Sequence, residues 1–378
     1  MSQFLRHFTK RTFILINISV GLVYLLACSN AWISPGVLWW PSILSLIFPF
    51  LLALVVFFLF FWLLFRSKWA ILSLSLLIIG FSNIRALIGL HSSHKTNVNT
   101  PKSKDVFRVL TWNVALFDIE MLRENSNKKF RNNMVNFIAA QDADVMCMQE
   151  HLEGHGDREK YYSNLDDFKK MGFKYHYIVN DRKISVFKYP SGLAIYSKYP
   201  IIDSARIRFK EGFLNSTPES LIYVDLKVGK DTVRIFTTHL QSNLFDKKDW
   251  KNIVKIKNGD DSMLLTSYTI MQKLKAAGKV RADQADLMKS SIEKSPFPSI
   301  VCGDFNDVPN SYIYFAIKGD KKDAFTEKGS GLGRTFKFLS PTLRIDYIFV
   351  DPLFRVSNYF RPNQDFSDHD PVIADLKW

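Results

Sequence analysis

Ser299-Ile-Val-Cys302-Gly-Asp304-Phe-Asn306-Asp307 reads as a short apolar run that stops on a cluster of polar residues. Four apolar or small residues suffice for a buried strand, and on an extended end Asp304 and Asn306 share one face while Phe305 points into a core. The competing local reading is a turn, because Gly-Asp and Asn-Asp are turn residues. Outward in both directions the pattern recurs. Arg108-Val-Leu-Thr-Trp-Asn113, Ala143-Asp-Val-Met-Cys-Met-Gln-Glu150, Thr237-Thr-His239-Leu, Arg344-Ile-Asp346-Tyr-Ile-Phe and Ser367-Asp368-His369-Asp-Pro-Val each join an apolar run to a polar group.

In order and wording these six segments resemble the endonuclease/exonuclease/phosphatase superfamily of phosphoesterases, which includes deoxyribonuclease I and the neutral sphingomyelinases. The likeness runs over about residues 105–378 and implies hydrolysis of a phosphate ester at a divalent metal. Such chemistry neutralises phosphoryl oxygens, orients a water in line and protonates the leaving oxygen. Hard oxygen ligands suit Mg²⁺ or Mn²⁺, and magnesium takes only one or two protein carboxylates. Glu150, ending a strand, is the expected carboxylate ligand, with Asn113 and Asp368 binding directly or through water. In the family pattern Asp304 orients or deprotonates the attacking water and Asn306 holds the phosphate. His369 matches the family's C-terminal histidine, oriented by Asp346, and acts as base or as cationic stabiliser. His239 stands where deoxyribonuclease I and the sphingomyelinases place a second histidine, a proton donor to the leaving group; repair enzymes carry an asparagine-rich segment there.

Strands are expected near 107–113, 143–149, 192–197, 221–228, 232–240, 299–303, 345–350 and 371–376, with a hairpin at Gly229-Lys230. Helices are expected near 128–140 and 279–294. Periodicity alone gives an α/β or α+β class. The resemblance implies a four-layered α/β sandwich of two packed mixed sheets with the site at one end. Residues 241–278 are longer than a usual connection and read either as a lid or as surface helices.

The first hundred residues hold seven Lys or Arg and no Asp or Glu. Apolar stretches over about 13–33, 41–65 and 69–90 are each long enough to cross a bilayer. Arg6, Lys10, Arg11, Arg66 and Lys68 mark cytoplasmic flanks, and the uncharged 30–36 connection fits the outer side. The expected order is a transmembrane region over 1–91, a polar linker over 92–104 and a catalytic domain over 105–378. This implies an integral protein of a bacterial inner membrane with its catalytic domain outside the cytoplasm.

The chain carries 50 Lys and Arg against 36 Asp and Glu, and beyond the spans the excess is small. That balance suits nucleic acid or anionic lipid and equally plain solubility. Cys28, Cys147 and Cys302 lie in apolar runs and read as buried thiols, with no zinc-site spacing. His151 and His155 follow Glu150, and Arg182, Lys183 and Tyr189 precede a strand; each is a candidate substrate contact or an ordinary loop residue. His91 and His94 read as solvated linker residues. The expected activity is a membrane-anchored phosphodiesterase of nuclease type. The alternatives are a sphingomyelinase-like or inositol-phosphate phosphoesterase and a non-catalytic module of the same fold. The bilayer and the phosphoester, nucleic acid or phospholipid, are the only partners expected.

Overall fold

The computed structural model describes residues 3–91, 102–103, 105–118, 129–153, 163–183, 190–210, 220–243, 245, 249, 263–338 and 340–378. It divides into two compact units, one of Met1–Ile88, Phe245–Ala282 and Val308–Ala316, the other of Gly89–Leu244, Asp283–Asp307 and Ile317–Trp378. Most of the expected linker, with His94, His155, Tyr189 and residues 250–262, lies outside the described residues.

In the first unit α1 (Gln3–Ser29) and α2 (Trp40–Leu64) are long and apolar enough to cross a membrane. The third expected span is instead a bent pair, α3 (Ala70–Ile79) and α4 (Phe81–Leu87), broken by 66° at Gly80. Gly80 is required there, because the Tyr24 ring occupies the space a Cβ would fill. The pair nevertheless runs along α1 from Asn17 to Cys28. Ser73 bonds to Asn17 at 3.4 Å, Leu76 packs on Gly21, Tyr24 on Gly80, and Asn83 donates to the Cys28 carbonyl at 3.2 Å. α2 runs the opposite way, stacking Phe61 on Phe13 and Phe48 on Tyr24. Leu22, Phe50, Phe60, Leu64, Ile71 and Ile78 are exposed. An apolar exterior of this extent suits lipid better than water.

The second unit is built on two six-stranded sheets. The first contains β2 (Phe107–Asn113), β3 (Val145–Leu152), β4 (Tyr175–Lys183), β5 (Pro190–Ser197), β13 (Arg355–Phe360) and β14 (Val372–Lys377), in the order β13-β14-β2-β3-β5-β4. The second contains β6 (Ile201–Arg208), β7 (Ser220–Val228), β8 (Asp231–His239), β9 (Ser299–Asp304), β10 (Lys322–Asp323) and β12 (Asp346–Val350), in the order β10-β12-β9-β8-β7-β6. Each sheet has one parallel pair, β2 with β3 and β8 with β9, and its other pairings are antiparallel. The two-residue strands β1 (Gly89–Leu90) and β11 (Ser330–Gly331) form a separate pair.

Between the sheets lie Val109, Val145, Cys147, Ile195, Ile222, Val224, Ile235, Ile300, Cys302 and Ile348. On the other face of the first sheet, Leu110, Trp112, Met146 and Met148 pack against Met134, Val135 and Ile138 of α5 (Lys129–Gln141). Because successive side chains alternate between two dry layers, all of β2 is buried. This is the four-layered sandwich the motifs implied.

The eight expected strands are present. β4, β6 and β13 were not expected, and all three lie at sheet edges, where exposed residues dilute the apolar signal. The helix expected near 279–294 is the second half of α6 (Met263–Glu293). The first half therefore takes up much of the long connection at 241–278. Lys275 of α6 sits 4.8 Å over the Trp39 ring and Gly278 faces Pro35.

Candidate active site

His239, Asp304 and Asp346 end or begin three neighbouring strands and stand in register, His239 opposite Asp304 across the parallel pair and Asp346 opposite Asp304 across the antiparallel one. Side chains in register on adjacent strands share a face, so the three groups converge without any loop rearrangement. The first sheet brings Asn113 at the end of β2. Its backbone carbonyl accepts from Ser367 Oγ at 2.8 Å, and Trp112 Nε1 donates to the His369 carbonyl at 2.9 Å. These two bonds fasten the 367–369 turn onto β2.

The Asp304 carboxylate is the hub. Its Oδ2 accepts from Asn113 Nδ2 at 3.1 Å and lies 3.4 Å from His239 Nε2 and 3.7 Å from His369 Nε2. Oδ1 accepts the Asn306 backbone N–H at 2.8 Å. His369 Nδ1 lies 2.9 Å from Asp346 Oδ2. Asn113, His239, Asp304, Asp346 and His369 are all buried.

Both local readings of the Asp304 segment hold in part. Asp304 is the last residue of β9 and Phe305 is wholly buried, as an extended end requires. Asn306, however, is in a turn, at a φ of +52°, with its side chain donating to the Leu240 carbonyl at 2.9 Å. Gly303 has a φ of +142° and lies against the Thr238 carbonyl, where no other side chain fits.

Glu150 follows Gln149, the strand partner of Asn113, at a bulge in β3, and has a φ of +50°. Non-glycine residues in that region are strained and concentrate at functional sites. Asp368 is half-buried, 3.3 Å from Ser367 Oγ.

Burial, then repulsion from Asp346, raises the Asp304 pKa above the ordinary carboxylate range, against the lowering effects of His369, the Asn306 N–H and Asn113. Burial alone would lower the His369 pKa, but the Asp346 and Asp304 carboxylates outweigh it and push it up to about 10. His369 is therefore an imidazolium at neutral pH, set between Asp304 and Asp346. The hard carboxylate oxygens of Asp304 and Asp346 suit a divalent cation, whereas His369 can ligate one only after losing its proton. Ligand atoms of the three lie within 4.8 Å of one another, and Asp346 Oδ1 is a buried carboxylate oxygen without a hydrogen bond.

Several supports carried no sequence signal. Gln149 Nε2 donates to Thr111 Oγ1 at 3.1 Å and to Thr237 Oγ1 at 3.0 Å, tying one sheet to the other beneath the cluster. Thr335 Oγ1 accepts the Asp346 N–H at 3.2 Å, and the Phe336 ring lies 5.0 Å from that of His369. Both come from a loop without periodicity. His151 is fully buried and bonded to Tyr196 at 2.9 Å, so it belongs to the core and not to the substrate. Burial, with the nearby His176, lowers its pKa to about 3, which makes the 3.9 Å approach to Glu153 no ion pair at neutral pH. Arg108 and Arg344, which open two of the motifs, are framework residues paired with Asp375 and Asp323 at 2.7 Å.

Residues 110–369 match the sequence model of the endonuclease/exonuclease/phosphatase family, and residues 10–87 that of a domain of unknown function, DUF8431. A sphingomyelinase of Dictyostelium discoideum is 23% identical over 252 residues, covering 62% of this chain and 50% of that protein. The chain thus spans half the length of that relative. The human nocturnin catalytic domain superposes with a TM-score of 0.50 at 17% identity, covering 73% of this chain and 96% of the domain. An endonuclease/exonuclease/phosphatase from Beutenbergia cavernae gives 0.51 at 18% identity, covering 72% of each chain. At such identities the structures speak for the fold, while the family match covers well over half of the chain. The chain belongs to the endonuclease/exonuclease/phosphatase family.

Proposed function

We propose that this chain is a membrane-anchored, Mg²⁺- or Mn²⁺-dependent phosphodiesterase. The observation that carries the reading is the convergence of Asn113, His239 and His369 on one oxygen of Asp304. Asn113, Glu150 and Asp368 would hold the divalent cation, which when bound neutralises the phosphoryl oxygens. Asp304 Oδ2, with its raised proton affinity, takes a proton from the attacking water. Asn306 keeps one amide hydrogen for a phosphoryl oxygen, since its other partner is the Leu240 carbonyl. The imidazolium of His369, held by Asp346, stabilises the anion that develops in the transition state. His239 protonates the departing oxygen.

The catalytic domain is taken as residues 105–378, joined by 92–104 to a transmembrane region over 1–91. The parallel course of α1 and the bent pair supports three crossings, because the pair reaches the α1 end at Cys28. With Arg6, Lys10, Arg11, Arg66 and Lys68 cytoplasmic, that end and the chain leaving it lie outside a bacterial inner membrane. Protease added to spheroplasts is expected to digest residues 105–378, and full protection would reverse the orientation.

Nucleic acid is the first substrate class, and phospholipid a second reading favoured by the sphingomyelinase relative and the apolar helices. The test is Mg²⁺-dependent nicking of supercoiled plasmid by the full chain in detergent micelles, beside hydrolysis of sphingomyelin vesicles. Loss in EDTA and in Asp304→Ala is expected for whichever substrate is cut. Turnover that survives Asp304→Ala refutes the mechanism, and an inactive folded chain supports the non-catalytic alternative.

A further inference from the structure

Among the described residues, seven other than glycine have a positive φ, and five of them stand beside the strand ends that build the site: Ala115, Leu116, Phe117, Glu150 and Asn306. Three are consecutive. Ala115, Leu116 and Phe117, at φ of +44°, +57° and +54°, make a left-handed turn just after β2. Left-handed backbone presses the Cβ of an L residue against the following carbonyl oxygen, and it is visited by single residues, mostly glycine, asparagine or aspartate. None of the three is of those types. Strain of this kind persists only where the surroundings hold it.

Phe117 supplies the hold. Its side chain is 4% exposed and belongs to the core between the first sheet and α5, its ring edge-on to that of His151 at 5.7 Å. Leu116 packs partly against the same core. Phe117 N–H donates to the Val114 carbonyl at 2.8 Å and closes the turn, while Val114 N–H donates to the Gln149 carbonyl at 3.0 Å and ties the turn to β3. The burial of one phenyl ring thus offsets the cost of three left-handed residues.

What the turn holds in place is the peptide between Val114 and Ala115. Its carbonyl accepts from Phe117 N–H, and its N–H donates to Asn113 Oδ1 at 3.1 Å. Asn113 Nδ2 then donates to Asp304 Oδ2, also at 3.1 Å. The last torsion of an asparagine side chain has only a broad preference, so the end of a strand does not by itself decide which amide atom faces Asp304. The amide oxygen in that place would meet a carboxylate oxygen, acceptor against acceptor. By occupying Oδ1, the turn reserves Nδ2 for Asp304.

We propose that Phe117 is a positioning residue for hydrolysis: through the left-handed turn it fixes the Val114–Ala115 peptide, and through that peptide the amide of Asn113, so that a donor faces Asp304 before substrate arrives. The inference rests on the phosphodiesterase reading of the Asp304 cluster. Phe117 acts only through Asn113 and has no contact with the phosphate in this scheme.

The experiment uses the full chain in lipid nanodiscs and the variants Phe117→Ala and Phe117→Ala with Ala115→Gly. Glycine adopts left-handed backbone at no steric cost, so at position 115 it favours the turn without filling the cavity that Phe117 leaves. A purely structural role for Phe117 gives no such rescue. Phe354→Ala, which opens a cavity in the other core beside Trp378, is the control. Two readouts are taken: hydrogen-exchange protection of the peptide carrying 113–117, corrected for intrinsic rates, and kcat and KM for bis-p-nitrophenyl phosphate with Mg²⁺. Phe117→Ala is expected to lower protection and kcat, each by about tenfold, with KM little changed. The added Ala115→Gly is expected to recover about threefold of each. Phe354→Ala is expected to leave both as in wild type. If Phe117→Ala fails to fold, Phe117→Leu leaves a smaller cavity and is read in the same way. Wild-type protection and kcat in the folded variant, losses that Ala115→Gly does not reduce, or equal losses in Phe354→Ala overturn the proposal. If wild type does not turn over the probe, the phosphodiesterase reading fails for that ester, while the exchange arm still decides whether Phe117 holds the turn.

Discussion

Asp346→Asn tests the electrostatics of the site most directly. Asp346 Oδ2 stands 2.9 Å from His369 Nδ1, and the exchange of one oxygen for an amide keeps the shape while removing a charge. The His369 pKa is held at about 10, against an ordinary 6.5. At about 1.4 kcal/mol per unit, that displacement corresponds to about 5 kcal/mol favouring the imidazolium. Asp346 is the leading cause of the rise, ahead of Asp304 and Asp368, and burial opposes all three. Without Asp346 the histidine therefore falls by two units or more, on the order of 3 kcal/mol. The sign follows from the raised pKa. The cation, and the stability it lends, is fully present below pH 6.5 and is lost as pH rises through about 10 in the wild type. In the variant the loss begins near neutrality. The assay is a kcat/KM profile from pH 6 to 10 on the substrate that the nicking and vesicle tests select. The alkaline limb is expected to move down by at least about one unit, with a drop at neutral pH on the order of a hundredfold. An unmoved alkaline limb refutes the claim that Asp346 keeps His369 charged.

Glu150 can be separated from its backbone strain by comparing two substitutions. Both Glu150→Ala and Glu150→Gly should abolish metal-dependent turnover, but at a φ of +50° the glycine variant should be the more stable by about 1 kcal/mol, read from thermal melts. Equal melts would remove the strain argument, and Mg²⁺-dependent activity in either would remove Glu150 from the metal site. Gln149→Leu leaves the Thr111 and Thr237 hydroxyls without their shared donor and should cost about 1–3 kcal/mol in a denaturant titration. A stability unchanged from wild type would show that Gln149 does not clamp the sheets. Because burial depresses the His151 pKa to about 3, its neutral form contributes stability that is present above pH 6.5 and lost as pH falls toward 3. His151→Gln should flatten that part of the stability profile, and a profile parallel to wild type would show that another group titrates.

Much of the site was legible because its residues are punctuation. An apolar run ended by a lone carboxylate, amide or imidazole is conspicuous, and Asn113, Glu150, His239 and Asp304 are all of that kind. Asp346, Asp368 and His369 were visible from the other side, at or just ahead of the start of an apolar strand. The edge strands β4, β6 and β13 were not legible, since their exposed positions break the apolar pattern. Gln149 and Thr335 were hidden for a different reason. A buried amide or hydroxyl gains its meaning only from a partner on another strand, and no local pattern announces the partner.

The sequence by itself determined the family, the identity of the chemical groups and the apolar character of the first ninety residues. All of these are properties of short stretches, set by side-chain type and period. Tertiary structure decided what those stretches do to one another. It put His239, Asp304 and Asp346 in register across three strands and bent the third apolar segment at Gly80 around Tyr24. It also joined Asn310 to Asn83 across 227 positions of chain. Hydrogen bonds and charges act over a few ångströms of space, and only folding decides which distant residues come that close.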